Sequence, residues 1–144
     1  MHLPVIQPFG LVNRTSRTAS EDLWIAHSGP IGVFGDSADY DIDYGDLDES
    51  QRVSPEGRTS WAGFTDIYWL AALVPQDGTA PETTFRAMGN ETYRADMIYE
   101  PSNLAAGQAY TVTSRLYAGA KESVILDSYE DAGLQKFGLA IDWG

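Results

Sequence analysis

The string Val33-Phe-Gly-Asp-Ser-Ala-Asp39 places a serine after a glycine–aspartate pair and behind a short apolar run. Ser37 in that setting is a candidate nucleophile, and a serine hydroxyl attacks a carbonyl only when a general base takes its proton. The chain holds two histidines, His2 and His27, both upstream of Ser37, and no Asp-x-x-His block follows. The flanking residues read as strand, whereas a nucleophile elbow needs a strand–turn–helix context. Ser37 is therefore read as a strand-end residue, and no catalytic residue is assigned.

The acidic run Asp36, Asp39, Asp41, Asp43, Asp46, Asp48 and Glu49 invites a calcium reading. A helix–loop–helix calcium loop needs oxygen ligands at its first, third and fifth positions and glycine at the sixth. Starting at Asp39 puts Tyr44 in the glycine position, and starting at Asp41 brings Gly45 one place too early. A solvated acidic face explains the same residues, since charge runs usually face water. Neither a His-Glu-x-x-His motif nor a glycine-rich phosphate loop is present, so no metal ligand or cofactor site is assigned. Asn13-Arg-Thr15 and Asn90-Glu-Thr92 have the glycosylation spacing, and Gly89-Asn90 is equally a turn.

The elements expected to position these residues are mostly strands. Leu23–His27 and Ile31–Phe34 are short apolar runs. Ala38–Gly45 alternates, with Tyr40, Ile42 and Tyr44 on one side and aspartates on the other, which predicts a half-buried strand. Thr83–Met88 and Thr92–Tyr99 flank the Gly89-Asn90 turn, and Tyr110–Tyr117 places Tyr110, Val112, Ser114 and Leu116 on one face. Strands at this spacing predict a sandwich. The period changes at Glu122–Ala132, where Ile125, Tyr129 and Ala132 share a helical stripe and Gly133 stands at the stop position.

Composition bounds the function. The chain of 144 residues fits one domain and can bury about 70% of its unfolded surface. Net charge is −12, with seven arginines and two lysines, which argues against a nucleic-acid partner and against lying on an anionic lipid surface. Cysteine is absent, which removes disulfides and thiolate chemistry. The uncharged run Ile67–Pro75 is too short for a membrane span, which needs about 20 apolar residues. It is read as interior. Trp61, Phe64 and Tyr68 share one side of a helical turn, and Trp69, Leu70, Leu73 and Val74 form a strand buried on both faces. On that reading Trp69→Ala costs about 3–5 kcal/mol. Four tryptophans and eight tyrosines also leave a carbohydrate-binding sandwich as the alternative function.

Five strings, in order, carry a resemblance. They are FGLVNR (9–14), HSGPIGV (27–33), SWAGFTDIYWLAALVP (60–75), LYAGAKE (116–122) and AIDWG (140–144). Together they resemble the large periplasmic domain of the YidC family, the Oxa-type membrane protein insertases, in an alphaproteobacterial style. The resemblance implies a mainly β fold, a β-super-sandwich or its C-terminal half, with one or two short helices, one of them near residues 121–132. It implies a single periplasmic fragment over residues 1–144 that stops before the membrane-embedded region, on the periplasmic side of the inner membrane.

The function so implied is that of a non-enzymatic interaction and scaffold domain that helps insertion and folding of inner-membrane proteins. Its partners would be the SecD–SecF complex, the Sec translocon and nascent membrane-protein clients, with a cleft for extended segments. Carried onto this chain, the expected contact residues are Trp24, Tyr40, Tyr44, Lys121, Tyr129, Asp142 and Trp143. A half-sandwich would also expose unpaired edges, so a homodimer is expected at high concentration.

Overall fold

The computed structural model describes residues 5–15, 29–35, 37–39, 41–66, 68–76 and 78–121. The fold is mainly β. Along the chain run β1 (Val5–Ile6), β2 (Phe9–Thr15), β3 (Gly29–Phe34), β4 (Ser37–Asp39), α1 (Tyr44–Ser50), β5 (Arg52–Val53), β6 (Thr59–Thr65), β7 (Trp69–Val74), β8 (Glu82–Gly89), β9 (Thr92–Ile98), β10 (Ser102–Asn103) and β11 (Arg115–Ala120).

The strands form two packed sheets and a small ribbon. The larger sheet has the order β11-β7-β6-β3-β4, the smaller β2-β9-β8-β5, and β1 pairs with β10. The strand pairings among the described residues are antiparallel. Strand β2 lies against β7, and β8 and β9 lie against β6. Between the sheets sit Phe34, Ala62, Phe64, Phe85, Tyr93 and Ala95, joined by Ile42 and Leu47 from the α1 region. The Phe85 ring stands edge-on to Phe34 and Phe64, with centroids 6.2 and 6.0 Å away, an arrangement that aromatic quadrupoles favour.

The larger sheet is buried on its other face as well. Ile31, Val33, Trp61, Leu70, Ala72 and Val74 form a second core there, with Tyr117 packed against it. This is why Leu70–Val74 is apolar at successive positions rather than at alternate ones. Gly63 is required by the close pairing of β6 with β7, since a Cβ on it would come within 1.9 Å of the Ala71 carbonyl oxygen.

The β8–β9 hairpin matches the Gly89-Asn90 expectation. Gly89, Asn90 and Glu91 all take positive φ, at 84°, 54° and 58°, a region open to glycine and tolerated by asparagine.

Several sequence expectations are corrected. Trp61 and Phe64 do not share a helical side; they lie on opposite faces of β6. The alternation over Ala38–Gly45 does not extend into one strand, because β4 ends at Asp39 and α1 begins at Tyr44. Asp43 caps that helix: its Oδ1 accepts from the Asp46 N–H at 2.7 Å, and Asp46 Oδ2 accepts from the Asp43 N–H at 3.0 Å. The strand expected from Tyr110 starts only at Arg115, since its partner β7 ends at Val74, which pairs with Arg115. Residues 23–27 and 122–133 lie outside the described residues.

Candidate functional site: the cleft between the sheets

Of the seven residues expected in the interior, Trp61, Phe64, Leu70, Leu73 and Val74 are buried. Tyr68 and Trp69 are corrected, being 69% and 61% exposed. Tyr68 sits in the short β6–β7 connection, where the Asp66 N–H donates to the Trp69 carbonyl at 2.8 Å and the chain reverses outside both sheets. Trp69 opens β7 and pairs with Ala120 of β11, beyond the last β6–β7 pair, Thr65 with Leu70.

The exposure of Trp69 follows from a mismatch in sheet size. On this side the smaller sheet ends at β2, which lies over β7, while the larger sheet continues one strand further to β11. Trp69, Ala71 and Leu73 face the smaller sheet, as do their cross-strand partners Ala120, Ala118 and Leu116. Leu73 is covered, meeting Gly10 of β2. Ala71 is only half-buried, and Ala118 and Leu116 are exposed.

The result is an open cleft of about 360 Å³ lined by Val12, Phe64, Trp69, Ala71 and Ala118, among others. Its alanines are what make room: larger side chains at 71 and 118 would fill the space beneath Trp69. One end is polar. Arg14 Nη2 lies 3.4 Å from Asp66 Oδ2, with Asp66 almost fully buried. Next to it, Lys121 Nζ donates to Thr65 Oγ1 at 2.8 Å, and the Lys121 N–H donates to the Tyr68 carbonyl at 2.8 Å. The cleft is thus an apolar trough closed at one end by an ion pair. It suits an extended apolar segment with a polar flank better than a small charged ligand.

Among the expected contact residues, Lys121 lies at this polar end. Tyr44 does not offer its ring to a partner: it is half-buried, with its centroid 4.6 Å from that of Tyr93 and stacked on Phe64 at 6.4 Å. The ring turns inward, as the alternation predicts, although Tyr44 opens α1 and does not continue a strand. Trp24, Tyr40, Tyr129, Asp142 and Trp143 lie outside the described residues. Ser37, the candidate nucleophile, is exposed and follows the turn of the β3–β4 hairpin, opposite Phe34. That is a strand–turn–strand setting; His2 and His27 are outside the described residues.

Sequence reasoning missed Val12, Arg14, Asp66, Ala71 and Ala118 as cleft residues. A signal was present: Ala118 and Ala120, at alternate positions of LYAGA, stand opposite Ala71 and Trp69 of WLAALV once the two runs are paired.

A model of the YidC periplasmic domain matches residues 3–144. The membrane protein insertase YidC of Zymomonas mobilis is 40% identical over 144 residues, covering 97% of this chain and 25% of that protein. That of Beijerinckia indica is 37% identical, covering 96% and 24%, and that of Rickettsia canadensis 34%, covering 99% and 26%. The chain therefore spans about a quarter of the length of the curated relatives it matches. With the sandwich and its cleft in place and the family model running from the third residue to the last, the chain belongs to the YidC periplasmic domain family of membrane protein insertases and lies on the periplasmic side of the inner membrane.

Proposed function

We propose that this domain serves its insertase as a non-catalytic interaction and scaffold domain whose cleft holds an extended apolar segment. The segment would come from a membrane-protein client or from a Sec accessory component such as the SecD–SecF complex. The observation that carries this is the open, inward-facing row of exposed Trp69, half-buried Ala71 and exposed Ala118, with Arg14 and Asp66 at its end. An apolar wall left open to water is a docking surface when a partner covers it. An extended segment suits the width of a trough bounded by strands, and the polar end would fix its register.

The test is crosslinking from a photoreactive residue at Ala118. With solubilised SecD–SecF or a translocating client present, the adduct should form, and Ala71→Phe, which fills the trough, should abolish it. Adducts of equal yield from Ala118 and from Glu56, an exposed loop residue, would overturn the reading. An exposed Trp69 beside Tyr68 also suits a sugar platform. That second reading requires tryptophan fluorescence to respond to oligosaccharides, and the trough reading requires it not to.

A further inference from the structure

Net charge argued against contact with an anionic surface, but the fold does not spread its few cations evenly. The registers of the smaller sheet bring Arg52 opposite Arg86, and Arg86 opposite Arg94. Three arginines thus stand side by side across three neighbouring strands, with Asn13 of β2 as the fourth member of the row. Neighbouring strands lie about 4.8 Å apart, and like charges directly opposite destabilise a sheet.

Compensation within the face is partial. Arg86 Nε donates to Asp96 Oδ2 at 2.8 Å, and Arg94 Nε donates to Asn13 Oδ1 at 3.0 Å. Arg52 is exposed, and no carboxylate lies within ion-pair distance of it among the described residues. The row is on the outer face: Val53 and Phe85 point to the core, so Arg52 and Arg86 point away from it. The acidic residues sharing this face are Asp96 and Glu82.

The rest of the face is apolar. Leu11 lies opposite Asp96 and Phe9 opposite Ile98, at 41%, 68% and 38% exposure for Leu11, Phe9 and Ile98. Met88 flanks the row on its other side, at 46%. The depression among these residues, about 190 Å³, is too shallow to enclose a peptide. Asp96 Oδ1 is buried there with no hydrogen-bond partner among the described residues.

We propose that the outer face of the β2-β9-β8-β5 sheet docks on a phospholipid surface, with Arg52, Arg86 and Arg94 on headgroup phosphates and Phe9, Leu11 and Ile98 in the interfacial layer. A flat face combining a cation row with apolar side chains matches the chemistry of interfacial binding. The remaining negative charge orients the molecule, since a surface within a Debye length of about 8 Å senses mainly the face presented to it. The proposal is independent of the cleft, which opens between the sheets and not on this face.

The test is flotation of the 144-residue chain with vesicles of phosphatidylethanolamine and phosphatidylglycerol, against vesicles of phosphatidylcholine alone. The chain should float with the first, less at high salt, and not with the second. Arg52→Ser removes a side chain with no ion-pair partner among the described residues and should lower partitioning about fivefold, and Arg52→Ser with Arg94→Ser about thirtyfold, at ~1 kcal/mol per arginine. Arg58→Ser, off this face, should change nothing. Phe9→Ser with Leu11→Ser should also weaken flotation while leaving the melting curve in place. Equal flotation on phosphatidylcholine, no flotation of the folded chain, or unchanged binding by Arg52→Ser would overturn the proposal. So would binding to soluble poly-glutamate without binding to vesicles, which would make an acidic polypeptide the ligand.

Discussion

Thr59 of β6 and Thr83 of β8 join the two sheets by a hydroxyl–hydroxyl hydrogen bond of 2.6 Å, with both side chains buried. A bulge makes this bond possible. Val33 pairs with Trp61 but Phe34 pairs with Thr59, so Ser60 is an extra residue in β6. The extra residue turns Thr59 to the inter-sheet side; without it Thr59 would share the Trp61 face. Either single valine substitution strands a buried hydroxyl and should cost about 1–3 kcal/mol, whereas the double variant should be less destabilised than the two singles summed. Urea melts of the four proteins check this; strict additivity would mean that the hydroxyls do not depend on each other.

The two tryptophans of the central region should separate in stability. Trp61 is fully buried, and Trp61→Ala should cost about 3–5 kcal/mol. Trp69, 61% exposed, should tolerate Trp69→Ala within about 0.5 kcal/mol. Urea midpoints for both variants decide it, and a Trp69→Ala midpoint as low as that of Trp61→Ala would contradict the exposed placement.

Gly63→Ala should destabilise by about 1–3 kcal/mol or more, because the backbone of β7 and not a movable side chain occupies the space. Gly78→Ala tests a different effect: no atom lies within 4 Å of its missing Cβ, and the strain there comes from a φ of 78°. Thermal melts of the pair should show the larger loss at Gly63.

Asp43→Ala removes one half of the cap at the start of α1 and should cost about 1 kcal/mol, with Asp43→Asn or Asp43→Ser retaining most of the stability. Denaturant titration of the three variants measures it. An undiminished Asp43→Ala midpoint would show that packing of Leu47, and not the cap, holds the helix.

The sequence made the β8–β9 hairpin plain, since alternation on both sides of Gly89-Asn90 leaves few other registers. It also marked Trp61, Leu70 and Val74 as interior, although it put Trp61 on a helical turn. What it could not show was where the smaller sheet stops. Trp69 looks as apolar as Leu70, and its exposure depends on β2 lying over β7 and leaving β11 bare, a relation between strands far apart in the chain. The aspartate alternation misled for a local reason: Asp43 continues the period of Asp39 and Asp41, but with Asp46 three residues on it also has the spacing of a reciprocal cap. The arginine row was hidden in the same way as the cleft, because Arg52, Arg86 and Arg94 become neighbours only through pairing.

Strand β6 is sealed above and below, with Ala62 and Phe64 on one side and Trp61 on the other. Its amides can reach solvent only when two separate cores open together, so deuterium should enter this strand last. The outermost strands can fray first while the middle of the larger sheet stays shut, which lets the domain yield at its rims under load without losing its centre.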